Sequence, residues 1–285
     1  WLADATAAEA TYGHISTWVT GAVTDMSNLF DGASSFNDDI STWDTSSVTT
    51  MYEMFWDASS FNQNIGGWSV HNVKTMEFMF EDASAFDQPI GAWDTSSVTT
   101  THYMFAGASA FNQAIGAWDV SSVVNMYDMF FGASSFNGDI GAWDVSAVTT
   151  MHYMFDAAYA FNRPIGNWDV SNVEDMYGMF EDAFAFNQPI GAWDTSGVTS
   201  IEDMFMGARS FDQSLNDWDI SSVTDMSWMF QDASAFNKPL DAWNLASVTA
   251  MDGMFENATS FNQPLSEWSF PSVTSMHSMF RLAKS

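Results

Sequence analysis

Along the chain, apolar and polar residues recur in a fixed order every 25 positions. The units start at Ile15, Ile40, Ile65, Ile90, Ile115, Ile140, Ile165, Ile190, Leu215, Leu240 and Leu265, without insertion or deletion, and the eleventh is incomplete. Counting from the opening Ile or Leu, position 4 is always Trp, 9 always Val, 16 always Phe and 19 always Ala, and 22 is Phe wherever the unit reaches it. Position 12 is Met except at Thr101 and Ile201, and position 15 is Met except at Leu29. Strict periodicity of this kind marks a solenoid, in which no unit buries its apolar face alone and each covers its neighbour.

Two periods follow each other inside a unit. Positions 1 to 6, Ile-x-x-Trp-Asp-Val/Thr, predict a short strand with positions 4 and 6 inward. The apolar residues at 9, 12, 15, 16, 19 and 22 are spaced for one face of a helix, preceded by an N-capping Ser such as Ser46, Ser96 or Ser121. Gly or Asp at position 18, and breakers such as Asn187 to Pro189, return the chain to the next strand. Strands pair about 4.8 Å apart and helices about 8 to 10 Å, so the stack should bend with a parallel sheet on its concave face. The expected fold is an α/β solenoid over residues 15–285, closed at its start by a cap of residues 1–14 in which Trp1 and Leu2 cover the open apolar end.

Composition sharpens this. The chain has 285 residues with 25 Phe, 20 Met and 14 Trp, of which the repeated columns hold 21 Phe, 19 Met and 11 Trp, so these side chains are ladder packing and not a cofactor box. With 36 acidic against 6 basic residues the net charge is −30, which disfavours nucleic acid and anionic membrane surfaces and favours cations or basic partners. Zero cysteine excludes disulfides and thiolate sites, and no apolar run reaches the roughly 20 residues of a membrane span. The sequence opens at Trp1 without Met and stops in mid-pattern at Ser285, as a processed product or part of a longer chain would.

The pattern FNQPIGAWDTSSVTTMYxMF, readable with small changes at Phe186 to Val198 and Phe36 to Phe55, resembles the bacterial surface protein repeats, a BspA-like, mycoplasma-lipoprotein-type family of 25-residue leucine-rich-repeat-like units. The resemblance covers residues 15–285 and implies a right-handed leucine-rich-repeat-like coil, an extracellular or cell-surface location, and adhesion or scaffolding without enzyme activity. It carries over no functional residues.

The candidate chemistry is sparse. His102, His152 and His277 share position 13, a variable column that reads as solvated surface, and no His stands near the fixed Ser and Asp columns to build a nucleophile–base pair. No phosphate loop or zinc spacing is present, so an enzyme is not expected and no resident cofactor is implied. Position 5 carries Asp44 and an unbroken run of Asp94, Asp119, Asp144, Asp169, Asp194 and Asp219. Carboxylates repeated about 5 Å apart repel one another, and calcium, which takes hard oxygen ligands, is the cation such a ladder would hold. Against this, Asp-x-Ser accepts backbone N–H bonds at a turn, and Ser69, Asn244 and Ser269 replace Asp as turn caps would. The Asn column at position 23 is expected to bond turn backbones from rung to rung. Asn257-Ala258-Thr259 fits an N-glycosylation acceptor. Trp56, Phe78, Phe131, Phe184, Met206 and Trp228 are extra apolar residues that could mark a contact surface with another chain.

These features lead to an expectation of a non-enzymatic, surface-exposed structural or adhesive protein that associates with protein partners or itself. The alternative is a concave-face module for a protein or glycan, dependent on calcium. Ala92, Ala117, Ala142, Ala192 and Ala242 at position 3 make that strand face monotonous, which argues against the alternative.

Overall fold

The computed structural model describes residues 1–283. Each unit forms one rung, and rungs stack in register with parallel bridges linking position 11 of each to the next, from Asp25 to Ser275. The expected strand–turn–helix unit is not what forms. Among the described residues the only helix, α1 (Ala5–Tyr12), and a single 3-10 turn, Ile15–Thr17, lie at the start of the chain, and the bridges are isolated with no sheet.

The rung of Ile140 shows what replaces it. From position 12 onward, alternate N–H groups point along the stack: those of Met151, Tyr153, Phe155 and Ala157 donate to the carbonyls of Asp175, Tyr177, Met179 and Glu181 in the following rung, at 2.9–3.0 Å. The intervening N–H groups of Met154, Asp156 and Ala158 donate back three residues to Met151, Tyr153 and Phe155, each at 3.1 Å. The segment is a chain of β-turns, and its alternate peptides form a ladder between rungs. Positions 14 and 18 are left-handed throughout, as at Tyr153 (φ 50°), Ala157 (φ 53°), Asp128 (φ 52°) and Gly132 (φ 64°). A left-handed residue every fourth position ends any α-helix before it begins. The three-residue apolar spacing is real, but it is the spacing of successive turns.

Inside the turns lies the core. Phe at position 16 stacks on its counterpart in the next rung without a break from Phe30 to Phe280, and Phe at 22 does the same from Phe36 to Phe261. The Met columns at 12 and 15 fill the space beside them, fully buried in the inner rungs. Each Trp from Trp43 to Trp268 donates its indole N–H to the carbonyl of position 1 in the rung before, as Trp143 does to Ile115 at 3.1 Å. That bond explains why the column is Trp and never Phe. The position 23 amides form the expected ladder, with Asn187 Oδ1 accepting the N–H of Asp212 at 2.9 Å.

Rung spacing is not uniform. Phe rings at position 16 repeat every 5.4–5.7 Å. Trp rings such as Trp143 and Trp168 are 6.5 Å apart and nearly parallel. Backbone bonds draw the rungs together along the turn ladder, whereas the Trp side is bridged by side chains, such as Thr195 Oγ1 donating to the Asp219 carbonyl. The rungs therefore fan open toward Trp. The closely spaced inner side carries positions 12 to 18 and not the expected sheet of positions 1 to 6, a second correction.

At the start of the chain Trp1 packs edge-on against Trp18, with centroids 6.1 Å apart, and donates its indole N–H to Asp38. Leu2 is largely exposed, and α1, N-capped by Asp4, buries none of its residues. In the last rung Phe270, Met276 and Phe280 are exposed, while their columns are buried in the inner rungs. No helix among the described residues is long and apolar enough to cross a membrane.

Candidate binding face

The Asp column of position 5 sits on the widely spaced side, exposed, and each carboxylate caps its own turn. Oδ1 of Asp94, Asp119, Asp144, Asp169 and Asp194 accepts the backbone N–H of the Ser two residues on, at 3.0–3.2 Å, and its hydroxyl at 2.6–2.7 Å. Asp219 accepts the Ser221 N–H at 2.9 Å. The Ser hydroxyl first and its N–H second hold Asp44, Asp94, Asp144, Asp194 and Asp219 below the usual carboxylate range. Among the described residues no three His, Asp or Glu side chains come together as a metal-ligating group. Asn257 occupies left-handed position 18, half-buried, and its amide donates to Asp232. Of the extra apolar residues, Trp56, Phe131 and Trp228 are exposed, whereas Phe78, Phe184 and Met206 are half-buried. Phe184 stacks on Tyr159 at 4.6 Å and carries the Arg209 guanidinium over its other side.

Chemistry gathers on the inner side instead. The turn geometry directs 12, 15, 16 and 19 into the core and leaves 13, 14 and 17 facing outward, and these outward columns vary most between units. Across units two to seven they bring aromatics together. Tyr52 meets Phe78, which stacks on Tyr103, and His152 lies between Tyr127 and Tyr177 with both centroids at 4.7 Å. Tyr153 meets the edges of His152 and Tyr177. Glycine completes the lane at one point: a Cβ at Gly178 would stand 2.2 Å from the Tyr153 ring, so that ring lies on bare backbone. His102 and His152, two rungs apart, pair with Glu77 at 3.6 Å and Asp175 at 2.9 Å rather than with each other.

Carboxylates line the same strip. Asp128 and Asp203, both at left-handed position 14, are 4% and 7% exposed, and each leaves Oδ1 without a hydrogen-bond partner. Each does take a hydroxyl bond, Asp128 from Tyr103 and Asp203 from Tyr177. Burial pushes Asp128 up to about 6. Burial, then the charges of Asp182 and Asp128, takes Asp156 to about 7. Burial and Asp156 take Glu181 to about 8, and burial with neighbouring carboxylates takes Glu81 and Glu202 to about 7. The strip is thus an aromatic wall beside partly desolvated acids that repel one another. Column 13 is therefore not the solvated surface its variability predicts: His152 packs between Tyr127 and Tyr177, and His102 and His152 pair with acids of neighbouring rungs. The signal in the sequence was the run of Tyr, His and Phe at 13 and 14 in consecutive units.

Comparison with known proteins places the repeat but not its partner. No curated protein matches the chain. A solved structure titled as the crystal structure of a TLR13–ssRNA13 complex aligns over 78% of this chain and 38% of that one at 10% identity, with a TM-score of 0.32, too low to carry an argument; this chain therefore spans well under half of that one. A family model matches three times in tandem, at residues 3–118, 86–192 and 184–285, together nearly the whole sequence. That match supports the repeat family and is coarser than the BspA-type resemblance. The chain belongs to the family described as Mycoplasma protein of unknown function, DUF285.

Proposed function

We propose that this is a non-enzymatic repeat scaffold, displayed at a cell surface or outside the cell, that works by binding a partner protein on its inner face. The observation that supports this reading is where the variation falls. The core columns and turn caps repeat almost unchanged, while positions 13, 14 and 17 change from rung to rung and carry the aromatics and desolvated acids. Invariant packing with one varied, aromatic-rich strip is how a solenoid presents a specific surface. The surface setting rests on the resemblance of the repeat.

Peptides selected from a display library against the whole chain test this reading. They should lose binding to Tyr127→Ser/Tyr177→Ser and keep it with Asp94→Asn/Asp144→Asn on the turn-cap column. Selected peptides indifferent to the first pair, or none enriched, would sink it.

A further inference from the structure

Column 14 holds one arrangement twice. Asp128, Tyr153 and Gly178 follow one another in units five to seven, and Asp203, Trp228 and Gly253 in units eight to ten. In both, the Asp is buried with Oδ1 unpartnered, and the ring one rung on lies over the bare glycine of the rung after it. A Cβ would stand 2.2 Å from the Tyr153 ring at Gly178 and 2.3 Å from the Trp228 ring at Gly253. Tyr153 and Trp228 both occupy a left-handed backbone that bulky side chains disfavour, and both lie outside the core, Trp228 being exposed. Neither backbone preference nor core packing accounts for them.

Between the two rings the column carries no exposed side chain and its flanks are acidic. Gly178 and Asp203 are buried there, with half-buried Glu181 in column 17 on one side and half-buried Glu202 in column 13 on the other. The Asp203 charge acts on both, which places the three carboxyls together. Among the described residues neither Glu181 nor Glu202 makes an ion pair. The chain's own cations show what such acids take: Arg281 pairs with Glu256, the column 17 acid three rungs beyond Glu181.

Length selects the shape of the ligand. Rungs repeat on this face every 4.7–4.9 Å, measured between Tyr127, His152 and Tyr177 and between Phe78 and Tyr103. The three rungs from Tyr153 to Trp228 therefore span about 14–15 Å, which an extended chain covers in four residues, about 13–14 Å, ending on the face where it began. An α-helix needs about nine or ten residues for that length and ends about 80–180° away from its starting face.

We propose that this stretch of the inner face receives an extended segment of a partner protein, laid along the stack, in which two apolar side chains four residues apart pack against Tyr153 and Trp228 and the Lys or Arg midway between them meets Glu181 and Glu202. This inference rests on the inner face being the binding surface. Asp203 stays beneath, out of contact, and adds its charge to the field of the two exposed acids.

The test is calorimetric titration of the full chain, at fixed ionic strength, with a synthetic peptide whose core is Leu-Thr-Lys-Thr-Leu. The control has the same composition reordered as Leu-Lys-Thr-Thr-Leu, which turns the lysine to the opposite side of an extended chain. The first should bind at least about tenfold more tightly. Trp228→Ser should remove about tenfold of that affinity, whereas Trp228→Phe, which keeps a ring over Gly253, should cost less than about threefold. Glu181→Gln/Glu202→Gln should also remove about tenfold, and Asp94→Asn/Asp144→Asn, the same charge change on the turn caps, less than about twofold. Melting curves of all four variants check that the fold is kept. Equal affinity for the two peptides, or equal loss from the two acid pairs, would overturn the proposal as non-specific charge attraction. Indifference to Trp228→Ser would remove the second anchor and with it the four-residue register. Failure of both peptides, while the display selection still yields peptides dependent on Tyr127 and Tyr177, would overturn the extended segment alone and leave the binding face standing.

Discussion

Replacing Ala157 by glycine separates the turn ladder from the helix that the apolar spacing suggests, because the two architectures give opposite signs. In a helix interior, Ala→Gly costs about 1 kcal/mol. In this structure Ala157 sits at φ 53°. There an L-residue carries about 1–2 kcal/mol that glycine does not. Against that, glycine loosens the unfolded chain by about 0.4–1 kcal/mol. The net expectation is a gain of roughly 0.5–1 kcal/mol, with the Ala157 N–H still free to donate to the Glu181 carbonyl at 2.9 Å. Gly132, at φ 64° in the same column, is the reciprocal site: a Cβ there meets nothing nearer than 3.7 Å, so Gly132→Ala should lose about the same amount through backbone strain alone. Urea unfolding followed by the fluorescence of the Trp ladder, with near-ultraviolet circular dichroism as a second probe, reads both as shifts in midpoint. Repeat arrays can unfold in parts, so the sign of the shift in both probes is the criterion. A lower midpoint for Ala157→Gly, or a higher one for Gly132→Ala, would refute the left-handed ladder.

Four further outcomes follow from the same geometry. Phe155→Ala removes a fully buried ring stacked between Phe130 and Phe180 and should cost about 3–5 kcal/mol. Phe280→Ala, at a position 47% exposed, should cost only about 1 kcal/mol, and equal costs in urea unfolding would deny that the ladder is cooperative. Trp143→Phe removes the indole donor to the buried Ile115 carbonyl, which keeps its bond from the Trp118 N–H, for a loss of about 0.5–1.5 kcal/mol in the same assay. Folding raises Asp156, Glu181, Glu81 and Glu202 to about 7, 8, 7 and 7 from ordinary values near 4, so the folded state holds more protons between about pH 4 and 8 and stability should fall as pH rises through that window. The turn-cap acids, held low, act oppositely only near and below about pH 4, so a melting temperature that rises from pH 5 to pH 8 would contradict the strip. Finally, because each position 5 carboxylate already caps a turn, calcium should raise the melting temperature no more than sodium of equal ionic strength; a larger rise over a chelator control would show cation sites on that column.

The period and the core columns were legible because any one-residue slip would carry Trp, Phe and Met out of a shared interior, so the sequence tolerates none. The Asp-x-Ser caps were legible too, since Ser69 and Asn244 can replace Asp in a turn. The secondary structure was not. Apolar residues three apart fit a helix and a chain of i→i+3 turns equally well, and only φ distinguishes them. Position 18, filled mainly by Gly, Asp and Asn, carries the left-handed signal, but the same residues also mark a helix end. Position 14 concealed it, because Phe78, Tyr103, Tyr153 and Trp228 accept a left-handed backbone that their side chains disfavour. Those same large residues build the inner face, so the misread backbone and the overlooked site share one origin.

That shared origin connects stability with binding. Backbone bonds draw the rungs together toward the inner face: the Trp rings Trp143 and Trp168 are 6.5 Å apart, the core Phe rings 5.4–5.7 Å, and the inner-face rings of Tyr127, His152 and Tyr177 4.7 Å. Glu81, Asp156, Glu181 and Asp203, at positions 14 and 17, are thereby partly desolvated and held near other carboxylates. The turn caps avoid this on the open side, where each carboxylate is exposed and bonded to its own serine. Such crowding destabilises a free protein, and here it occurs where the chain varies its side chains most. The unbroken Phe ladders and the indole hydrogen bonds of the Trp column supply stability enough to carry the strain, and incoming positive charge would relieve it. Strain kept at one surface and offset by a uniform core is the arrangement expected of a scaffold whose varied face is meant to be covered.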